Sequence, residues 1–327
     1  ALQKVFTMSL TLVEGSKRSN DKLQRGTVEL IVKDDPILAR LKFKDIKGNG
    51  LTYNVETTMS DAEFYSPGDT WIESTSTITQ HTAHTKILGG DADVDNYLRA
   101  TRGDSGDLME EQITAKSKAI NHTFNNTLLY GYALGEAKKF DGLHYMLRDE
   151  SYNTIAKGTA GTPTALSMEW IEEMIDLILD GKADALVMTK MMRRSINKYL
   201  KSVGGVTYGE VANSRVQTIL DVPVHVSDFL SNSESCDLDY GSGYGHDYTD
   251  GTALGNNDGS TSIFAIQYGD NALSGVQSMP VTTEKFEKLE TKDGSRTRIK
   301  WYPSIMIQSI ITNAKLTGID PDGVVVA

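Results

Sequence analysis

The chain has 327 residues, of which 39% are hydrophobic and 24% are charged, and this composition is ordinary for a protein that folds in water. No apolar run approaches the roughly 20 residues that cross a bilayer, and the first residues lack the basic and apolar blocks of a secretory signal. The net charge of −11 is opposite in sign to that of a protein that binds nucleic acid with its whole surface.

The amino-terminal part predicts a helix followed by an extended arm, over about residues 1–40. Apolar side chains punctuate charged ones there, and the pair Asp35-Pro36 ends the pattern because the residue before proline is disfavoured in a helix. The sequence begins without Met, which predicts that the chain is processed. The single cysteine, Cys236, cannot form a disulfide within the chain, which favours folding in a reducing compartment.

A long β-hairpin is the most informative feature, and it occupies Leu41 to Asp95. Its ascending arm, Phe43 to Thr58, alternates apolar and polar residues, and its descending arm, Thr70 to Leu88, is rich in Thr, Ser and Ile. Arms of about 15 residues would span about 50 Å. A two-stranded ribbon is marginal in water. We therefore expect the hairpin to lie on a neighbouring copy of the same chain.

A long amphipathic helix is predicted next, from Gly106 to Tyr132. At 1.5 Å per residue it would be about 40 Å long. Its apolar residues recur at spacings of four and seven, which is typical of one buried helix face. They are Met109, Ile113, Ile120, Phe124 and Leu128.

The region from about Ala165 to Gly275 is typical of a compact α/β unit. Ser167 is predicted to cap a helix that Gly181 ends, and Thr189 is predicted to cap a basic helix, Lys190 to Ser202. The insertion Ser231 to Thr261, rich in Gly, Asp and Ser, predicts a surface loop. Strands are predicted at Ala183–Met188, Val216–Leu220, Val222–Val226, Ile263–Tyr268 and Phe286–Ile311.

Several motifs suggest catalysis, but none has the context that the chemistry needs. The string GDSG includes Ser105, with His84 upstream, yet a serine protease of that type needs a large β-structure between the two residues. A turn that caps the long helix explains the string better. The tripeptide Arg102-Gly103-Asp104 matches an integrin-binding sequence, which we interpret as coincidence in the absence of a secretion signal. No catalytic residue is predicted.

Metal and cofactor motifs are similarly incomplete. Asp91, Asp93 and Asp95 alternate as in a calcium loop, but the later positions hold Asn96 and Arg102 instead of glycine and a carboxylate. We expect the three carboxylates to face solvent or an interface. The histidines have no zinc spacing, and the glycine run at 241–245 lacks the strand and helix of a dinucleotide loop. Neither a metal nor a cofactor is predicted.

The order of these elements, and four local motifs, resemble tailed-bacteriophage major capsid proteins of the Hong-Kong-phage-type fold. The resemblance covers nearly the whole chain. The motifs are AEFYSPGDTWIEST at 62–75, KILGGDADVDNYL at 86–98, FDGL at 140–143 and LETKDGSRTRIKWY at 289–302.

The resemblance implies an α+β chain with the Hong-Kong-phage-type capsid fold, in five segments. They are residues 1–40 (amino-terminal helix and arm), 41–90 (the extended β-hairpin, called the E-loop in that family), 91–164 (peripheral domain with the long spine helix), 165–284 (α/β axial domain with the insertion 231–261) and 285–327 (carboxy-terminal strands that return to the peripheral domain).

The function that the resemblance implies is self-assembly into pentamers and hexamers of an icosahedral shell around double-stranded DNA. Expected partners are further copies of the chain, a scaffolding protein, a portal and a decoration protein, with no membrane and no sequence-specific DNA contact. The shell would be assembled in the cytoplasm of a bacterial host and found in the virion. An encapsulin-type nanocompartment with protein cargo is the alternative, and a serine hydrolase is a more distant one.

Two groups of residues are candidate contact sites. Phe64, Tyr65 and Trp71 at the hairpin tip are expected to anchor on a neighbouring subunit, because buried aromatic side chains dominate interface energetics. The basic helix presents a charged face that is either solvated and paired to an acidic neighbour or in contact with packaged DNA. Its members are Lys190, Arg193, Arg194, Lys198 and Lys201.

Overall fold

The computed structural model describes residues 26–27, 29–31, 36–58, 60–101, 108–148, 152–158, 162–178, 181–205, 207–211, 214–234, 259–286 and 293–326. Most of the predicted amino-terminal helix, the GDSG string with Ser105, Cys236 and most of the 231–261 insertion lie outside these residues.

The helices and strands have the following bounds. The helices are α1 Pro36–Arg40, α2 Asn96–Thr101, α3 Leu108–Tyr130, α4 Leu143–Met146, α5 Met168–Asp176 and α6 Lys190–Val203, with a 3₁₀ turn at Ile310–Thr312. The strands are β1 Phe43–Asp45, β2 Gly50–Thr58, β3 Thr77–His84, β4 Leu88–Asp95, β5 Thr154–Ala156, β6 Thr164–Ala165, β7 Ala185–Met188, β8 Thr207–Val211, β9 Ser214–Ile219, β10 Val222–Val226, β11 Thr261–Ile266, β12 Leu273–Phe286, β13 Gly294–Ile307 and β14 Ala314–Asp320.

A four-stranded sheet in the order β1-β12-β13-β4 supports the long helix α3. Strand β1 runs parallel to β12, and the other neighbours are antiparallel. The ring of Trp301 on β13 lies 4.6 Å from Phe124 of α3 and 5.4 Å from Phe43 of β1, and its Nε1–H donates to Gln277 Oε1 at 3.1 Å. All three rings are buried, so this cluster joins the helix to the sheet.

The helix α3 confirms the amphipathic prediction. Ile113, Ile120, Phe124 and Leu128 are buried, as the spacing of the apolar residues predicted. The helix ends at Tyr130, before the predicted Tyr132. Gly131 follows, where a Cβ atom would lie 2.1 Å from the carbonyl oxygen of Phe140, so this close approach of two backbone segments requires glycine.

An eight-stranded sheet has the order β5-β14-β11-β7-β10-β9-β8, with β6 also paired to β14. Leu186 and Met188 of β7 belong to a core that α5 and α6 cover, whereas Val187 belongs to the core that contains α3. Because side chains of a strand alternate between faces, the central part of this sheet is buried on both sides. The sheet thus separates the two hydrophobic cores.

The capped basic helix is also confirmed. Thr189 Oγ1 accepts a hydrogen bond from Met192 N–H at 3.2 Å, and Gly204 ends the helix in the left-handed conformation, with φ of +82°. Ser167 precedes α5 as predicted, but its side chain makes no capping hydrogen bond.

The predicted length of the hairpin arms is wrong. Within the predicted hairpin, β2 and β3 are the parts of the two arms that pair with each other. They contain nine and eight residues, so the paired part spans about 30 Å. The ends of the predicted arms that lie far from the tip pair with other strands. Phe43 pairs with Gly275 and Leu88 pairs with Trp301, both in the four-stranded sheet. These segments favour strands locally, and the partner is decided by residues far along the chain.

The carboxy-terminal strands are divided between the two sheets, in contrast to the expectation that residues 285–327 return together. Strands β12 and β13 form a 14-residue hairpin in the four-stranded sheet, and β12 begins at Leu273, before the expected boundary. Strand β14 lies in the eight-stranded sheet between β5 and β11. The chain therefore crosses between the sheets after β13.

The helices described here are too short or too polar to cross a membrane.

Replacing Trp301 with alanine should lower the free energy of unfolding by about 3–5 kcal/mol, because it opens a cavity between α3, β1 and β13. The substitution also leaves Gln277 Oε1 without its buried donor. Urea unfolding followed by circular dichroism measures the change. The matched control is Trp71→Ala at an exposed position, which should stay within about 0.5 kcal/mol of the original chain. Equal losses in the two variants would contradict the assigned core.

Candidate assembly surfaces

The hairpin tip, defined as residues 60–76, contains a hydrogen-bonded turn at Ser66–Asp69. Asp69 N–H donates to the carbonyl of Ser66 at 3.1 Å, and Ser66 N–H donates to Asp69 Oδ2 at 2.6 Å. The ring of Tyr65 stacks on Trp71 with centroids 4.4 Å apart, and its hydroxyl accepts from Ile72 N–H at 3.2 Å. These contacts present the tip side chains in a fixed arrangement.

Large apolar side chains are exposed at this tip. Phe64 is fully exposed, Trp71 is 78% exposed and Ile72 is 69% exposed. Tyr65, the third residue predicted from sequence, is half-buried by its stack on Trp71. Apolar groups clustered on a surface mark an interaction site. The tip is also acidic, since it carries four carboxylates and no basic residue: Asp61, Glu63, Asp69 and Glu73.

A cleft of about 490 Å³ lies between the inner face of the hairpin and the segment 131–148. Its apolar lining comes from Val55 and Ala83 of the hairpin, Phe140 and Leu147 of the segment, and Ile305 of β13. These five side chains form an apolar part of the cleft wall.

Polar groups also line this cleft. They include His81, His84, Lys86, Asp141 and Arg148. The guanidinium of Arg148 lies over the ring of Tyr145, 4.0 Å from its centroid, which holds the cation at this position. Burial, followed by the charge of Asp141, raises the pKa of Tyr53, another lining residue.

The five cations of the predicted basic face lie on α6, opposite its buried residues Met192 and Ile196. Lys190 Nζ pairs with Asp228 at 2.6 Å, so the interpretation of a solvated ion pair applies to this residue. The other four, Arg193, Arg194, Lys198 and Lys201, are exposed, and the part of the chain that the structure describes offers them no acidic partner. They form a compact cationic surface.

Two of the three alternating carboxylates pair with arginines of the neighbouring strand. Arg298 donates to both oxygens of Asp91 at 2.6 and 2.8 Å, and Arg296 donates to both oxygens of Asp93 at 2.6 and 2.7 Å. The hydrogen bond from Arg298 is the main cause that lowers the pKa of Asp91. Asp95 Oδ1 accepts from the backbone of Tyr97. Asp93 and Asp95 are exposed and Asp91 is half-buried, so the expectation that these carboxylates face solvent is confirmed, and the same groups stabilise the sheet and the start of α2.

A buried polar cluster, which we call the junction cluster, was missed by the sequence analysis. Tyr130 and Ser262 each donate to one carboxylate oxygen of Glu234 at 2.5 Å. His144 Nε2 lies 3.3 Å from the same carboxylate, and Lys315 Nζ donates to the carbonyl of His144 at 3.3 Å. These residues come from α3, α4, the segment after β10, β11 and β14, so the cluster ties the spine helix to the eight-stranded sheet.

Burial keeps the imidazole of His144 neutral. Its ring stacks on Tyr130 at 4.9 Å and meets Phe264 edge-on at 4.8 Å. Loss of solvation is the largest effect on its pKa and lowers it, although the neighbouring Glu234 opposes that shift. The positive charge of Lys315 also lowers the pKa of His144.

Of the suggested hydrolytic pair, His84 lies on β3 at the cleft, and Ser105 is outside the described residues. Within those residues, no three His, Cys, Asp or Glu side chains form a group that could hold a metal ion.

A protein-family model described as SU10 major capsid protein matches residues 22–232, which is more than half of the chain. No curated protein sequence matches.

Solved structures share the fold at low sequence identity. The holo-SrpI encapsulin complex from Synechococcus elongatus PCC 7942 has a TM-score of 0.63 and 12% identity, and the match covers 87% of each chain. The capsid of a native GTA particle has a TM-score of 0.57 and 8% identity, over 89% of this chain and 90% of the other. The capsid of Cyanophage P-SCSP1u has a TM-score of 0.53 and 12% identity, over 84% and 85%.

Replacing His144 with glutamine should reduce the acid sensitivity of the fold. The pKa of His144 is lower in the folded chain than its ordinary 6.5, so below that pH the unfolded chain binds a proton that the folded chain does not. Stability is therefore lost as the pH falls, by up to about 1.4 kcal/mol per pH unit for this one group. Urea unfolding between pH 7.5 and 5 measures the slope. An unchanged slope in the variant would contradict a neutral buried histidine.

Proposed function

The chain belongs to the SU10 major capsid protein family, and we propose that it builds a closed shell through repeated contacts between neighbouring copies. It is a structural protein of the virion that assembles with itself, as the sequence predicted. The similarity to phage capsids and to an encapsulin confirms the α+β class and the Hong-Kong-phage-type capsid fold.

One observation carries the proposed mechanism of assembly. The hairpin tip exposes Phe64, Trp71 and Ile72 at the end of a ribbon that has no core of its own. A side chain of this kind gains about 25 cal/mol for each Å² of apolar surface removed from water. A neighbouring subunit supplies the surface that buries these side chains. Phe64, Tyr65 and Trp71 are therefore the anchors of the contact between subunits.

The two sheets fit the two capsid domains that the family resemblance implies. In this proposal the four-stranded sheet with α3 is the peripheral domain, the eight-stranded sheet with α5 and α6 is the axial domain, and β2 with β3 is the E-loop. Subunits of this shape fill pentamers and hexamers of an icosahedral shell. Closed symmetry then repeats each modest contact many times, which makes the assembly cooperative.

The shell contents in this proposal are double-stranded DNA, held without sequence-specific contacts. The exposed cations Arg193, Arg194, Lys198 and Lys201 contact phosphates on the inner surface. The net charge of −11 keeps the rest of the wall from adhering to its contents. A scaffolding protein, a portal and a decoration protein complete the particle, which is assembled in the cytoplasm of the bacterial host.

An encapsulin-type nanocompartment is the second candidate, because the SrpI encapsulin shares the fold over 87% of this chain. Such a shell would hold a protein cargo. Electron microscopy and content analysis of particles from nuclease-treated and untreated lysates distinguish the two. Protected DNA supports the phage shell, and a stoichiometric protein cargo with no protected DNA supports the nanocompartment.

The variant Trp71→Ala should stay folded and soluble but form few shells, because it removes an aromatic anchor and leaves the core intact. Size-exclusion chromatography followed by electron microscopy measures shell yield against the unchanged chain. The control is Val203→Ala, which truncates a 66%-exposed side chain at the end of α6. Shells of unchanged yield and thermal stability from Trp71→Ala would show that the tip does not anchor assembly.

Neutralising the four exposed cations of α6 to glutamine should weaken binding of duplex DNA and flatten its salt dependence, because each lost phosphate contact lowers the slope by about 0.9. Titration of unassembled subunits with duplex DNA at several salt concentrations measures both quantities. The matched control neutralises four exposed lysines elsewhere, namely Lys47, Lys118, Lys138 and Lys182. If both variants lose the same affinity, α6 is not the DNA-contacting surface.

A further inference from the structure

We propose that helix α1 and His225 of β10 form an acid-sensitive latch. The helix stays docked on the eight-stranded sheet while the imidazole is neutral, and it is released when the imidazole binds a proton. The latch acts within one subunit, so it does not depend on the proposed shell. It follows from the place of His225 in the sheet, from the helix that packs there and from the charges around the ring.

The side chain of His225 lies on the face of the sheet that α1 packs against. His225 pairs with Val187 of the parallel strand β7, and paired residues of neighbouring strands share one face. Val187 belongs to the core that contains Ile37 and Leu38 of α1. Val224, the residue before His225, belongs to the other core. Because α1 also contacts β10 directly, the imidazole lies where the helix meets the sheet.

Helix α1 depends on this docked position. It has five residues, and a helix of that length is not stable in water by itself. Ile37 and Leu38 are each 1% exposed, and Leu41, whose N–H donates to the carbonyl of Ile37 at 3.0 Å, is fully buried. A change in the docking free energy therefore changes directly how often the helix opens.

The contact has no acceptor for a second proton on His225. The ring is half-buried, and its Nε2 atom is buried and makes no hydrogen bond within the described residues. Both ring nitrogens are donors in an imidazolium. Protonation in the docked state would therefore bury a charge and an N–H group without a partner, which is unfavourable.

The charge on α1 also opposes protonation. Burial lowers the pKa of His225, and the positive charge of Arg40 in the last turn of α1 lowers it further, to about 4. Strand β7 on one side of β10 has no charged residue, and β9 on the other side has Arg215 alone.

Two further titratable groups lie close to β10 in the fold. Asp228 follows the strand, and its carboxylate is paired with Lys190 at 2.6 Å. His122 of the spine helix meets the ring of Phe229 edge-on, with centroids 5.0 Å apart. Among the described residues, the charge that acts on His225 is that of Arg40.

The docking of α1 therefore depends on pH. The pKa of His225 is about 4 while α1 is docked, and it returns to its ordinary 6.5 when release exposes the ring. Between these values the released state binds a proton that the docked state does not, so docking is strongest above about pH 6.5 and weakens as the pH falls towards 4. Between pH 7.5 and 5, these pKa values correspond to on the order of thirtyfold more opening.

Amide exchange followed by NMR on the full chain measures the opening. After correction for the intrinsic pH dependence of exchange, the amide of Leu41 should exchange about thirtyfold faster at pH 5 than at pH 7.5. The amides of Val187 and Phe264, on central strands of the sheet, should stay protected because the opening is local.

Two substitutions separate the histidine from its cation. His225→Phe keeps an aromatic ring but cannot bind a proton, so the exchange of the Leu41 amide should lose this pH dependence. Arg40→Glu supplies a carboxylate that favours the imidazolium, so the acid release should be lost or reversed. The matched control is His81→Phe, at an exposed position on the hairpin, which should keep the full response.

The pKa of His225, measured by an NMR titration of its ring, decides the case if His225→Phe does not fold. A value near 4 that rises in Arg40→Glu supports the latch, and a value of 6.5 or more overturns it. Exchange of the Leu41 amide that does not respond to pH, or that responds equally in His225→Phe, would also contradict it. None of these measurements involves shell formation, so their failure would leave the proposed function standing.

Discussion

The packing of the spine helix α3 on the four-stranded sheet is the interaction on which the rest of the chain depends. Trp301, Phe124 and Phe43 meet in one buried cluster, which brings together a strand near the start, the spine helix and a strand near the end of the chain. With these elements held, the long hairpin of β12 and β13 has a fixed direction, and the chain can cross from it into the second sheet. The hairpin of β2 and β3 leaves the same platform, so the platform also sets the direction in which the tip extends.

The junction cluster is a second constraint on how the spine helix lies against the eight-stranded sheet. It acts through hydrogen bonds between buried polar groups. A buried carboxylate is costly unless it is hydrogen-bonded, and Glu234 satisfies its oxygens with Tyr130 and Ser262. These hydroxyls lie on elements of different parts of the fold, so the donors reach the carboxylate only when the spine helix and the eight-stranded sheet are correctly placed. An apolar core tolerates small shifts, whereas a buried charge with directional partners does not. The cluster thus gives the two parts of the subunit one defined arrangement.

The candidate assembly surface at the hairpin tip consists of apolar side chains that neither hydrophobic core buries. Most apolar residues of the sheets and helices are buried, whereas the tip of the hairpin holds Phe64, Trp71 and Ile72 in water. An ordered tip that exposes aromatic side chains is unfavourable for an isolated subunit and favourable for one that will meet a neighbour. In the proposed shell, a neighbouring subunit buries these tip side chains, which the fold of one chain leaves exposed.

Elements whose signals are local could be predicted from the amino-acid sequence alone. Apolar spacing placed the spine helix, Thr189 placed the start of the basic helix, and the tip motif marked the hairpin and its aromatic residues. Four motifs were enough to indicate the family, and the family model confirmed it. The partners of β1, β4 and β14, the charge pairs of Asp91 and Asp93, the cleft and the junction cluster were decided only by the tertiary structure. The physical reason is that periodicity and capping depend on residues within a few turns of one another. A strand such as β1, in contrast, selects a partner far along the chain by the packing of a whole core, and nothing in its own three residues specifies that choice.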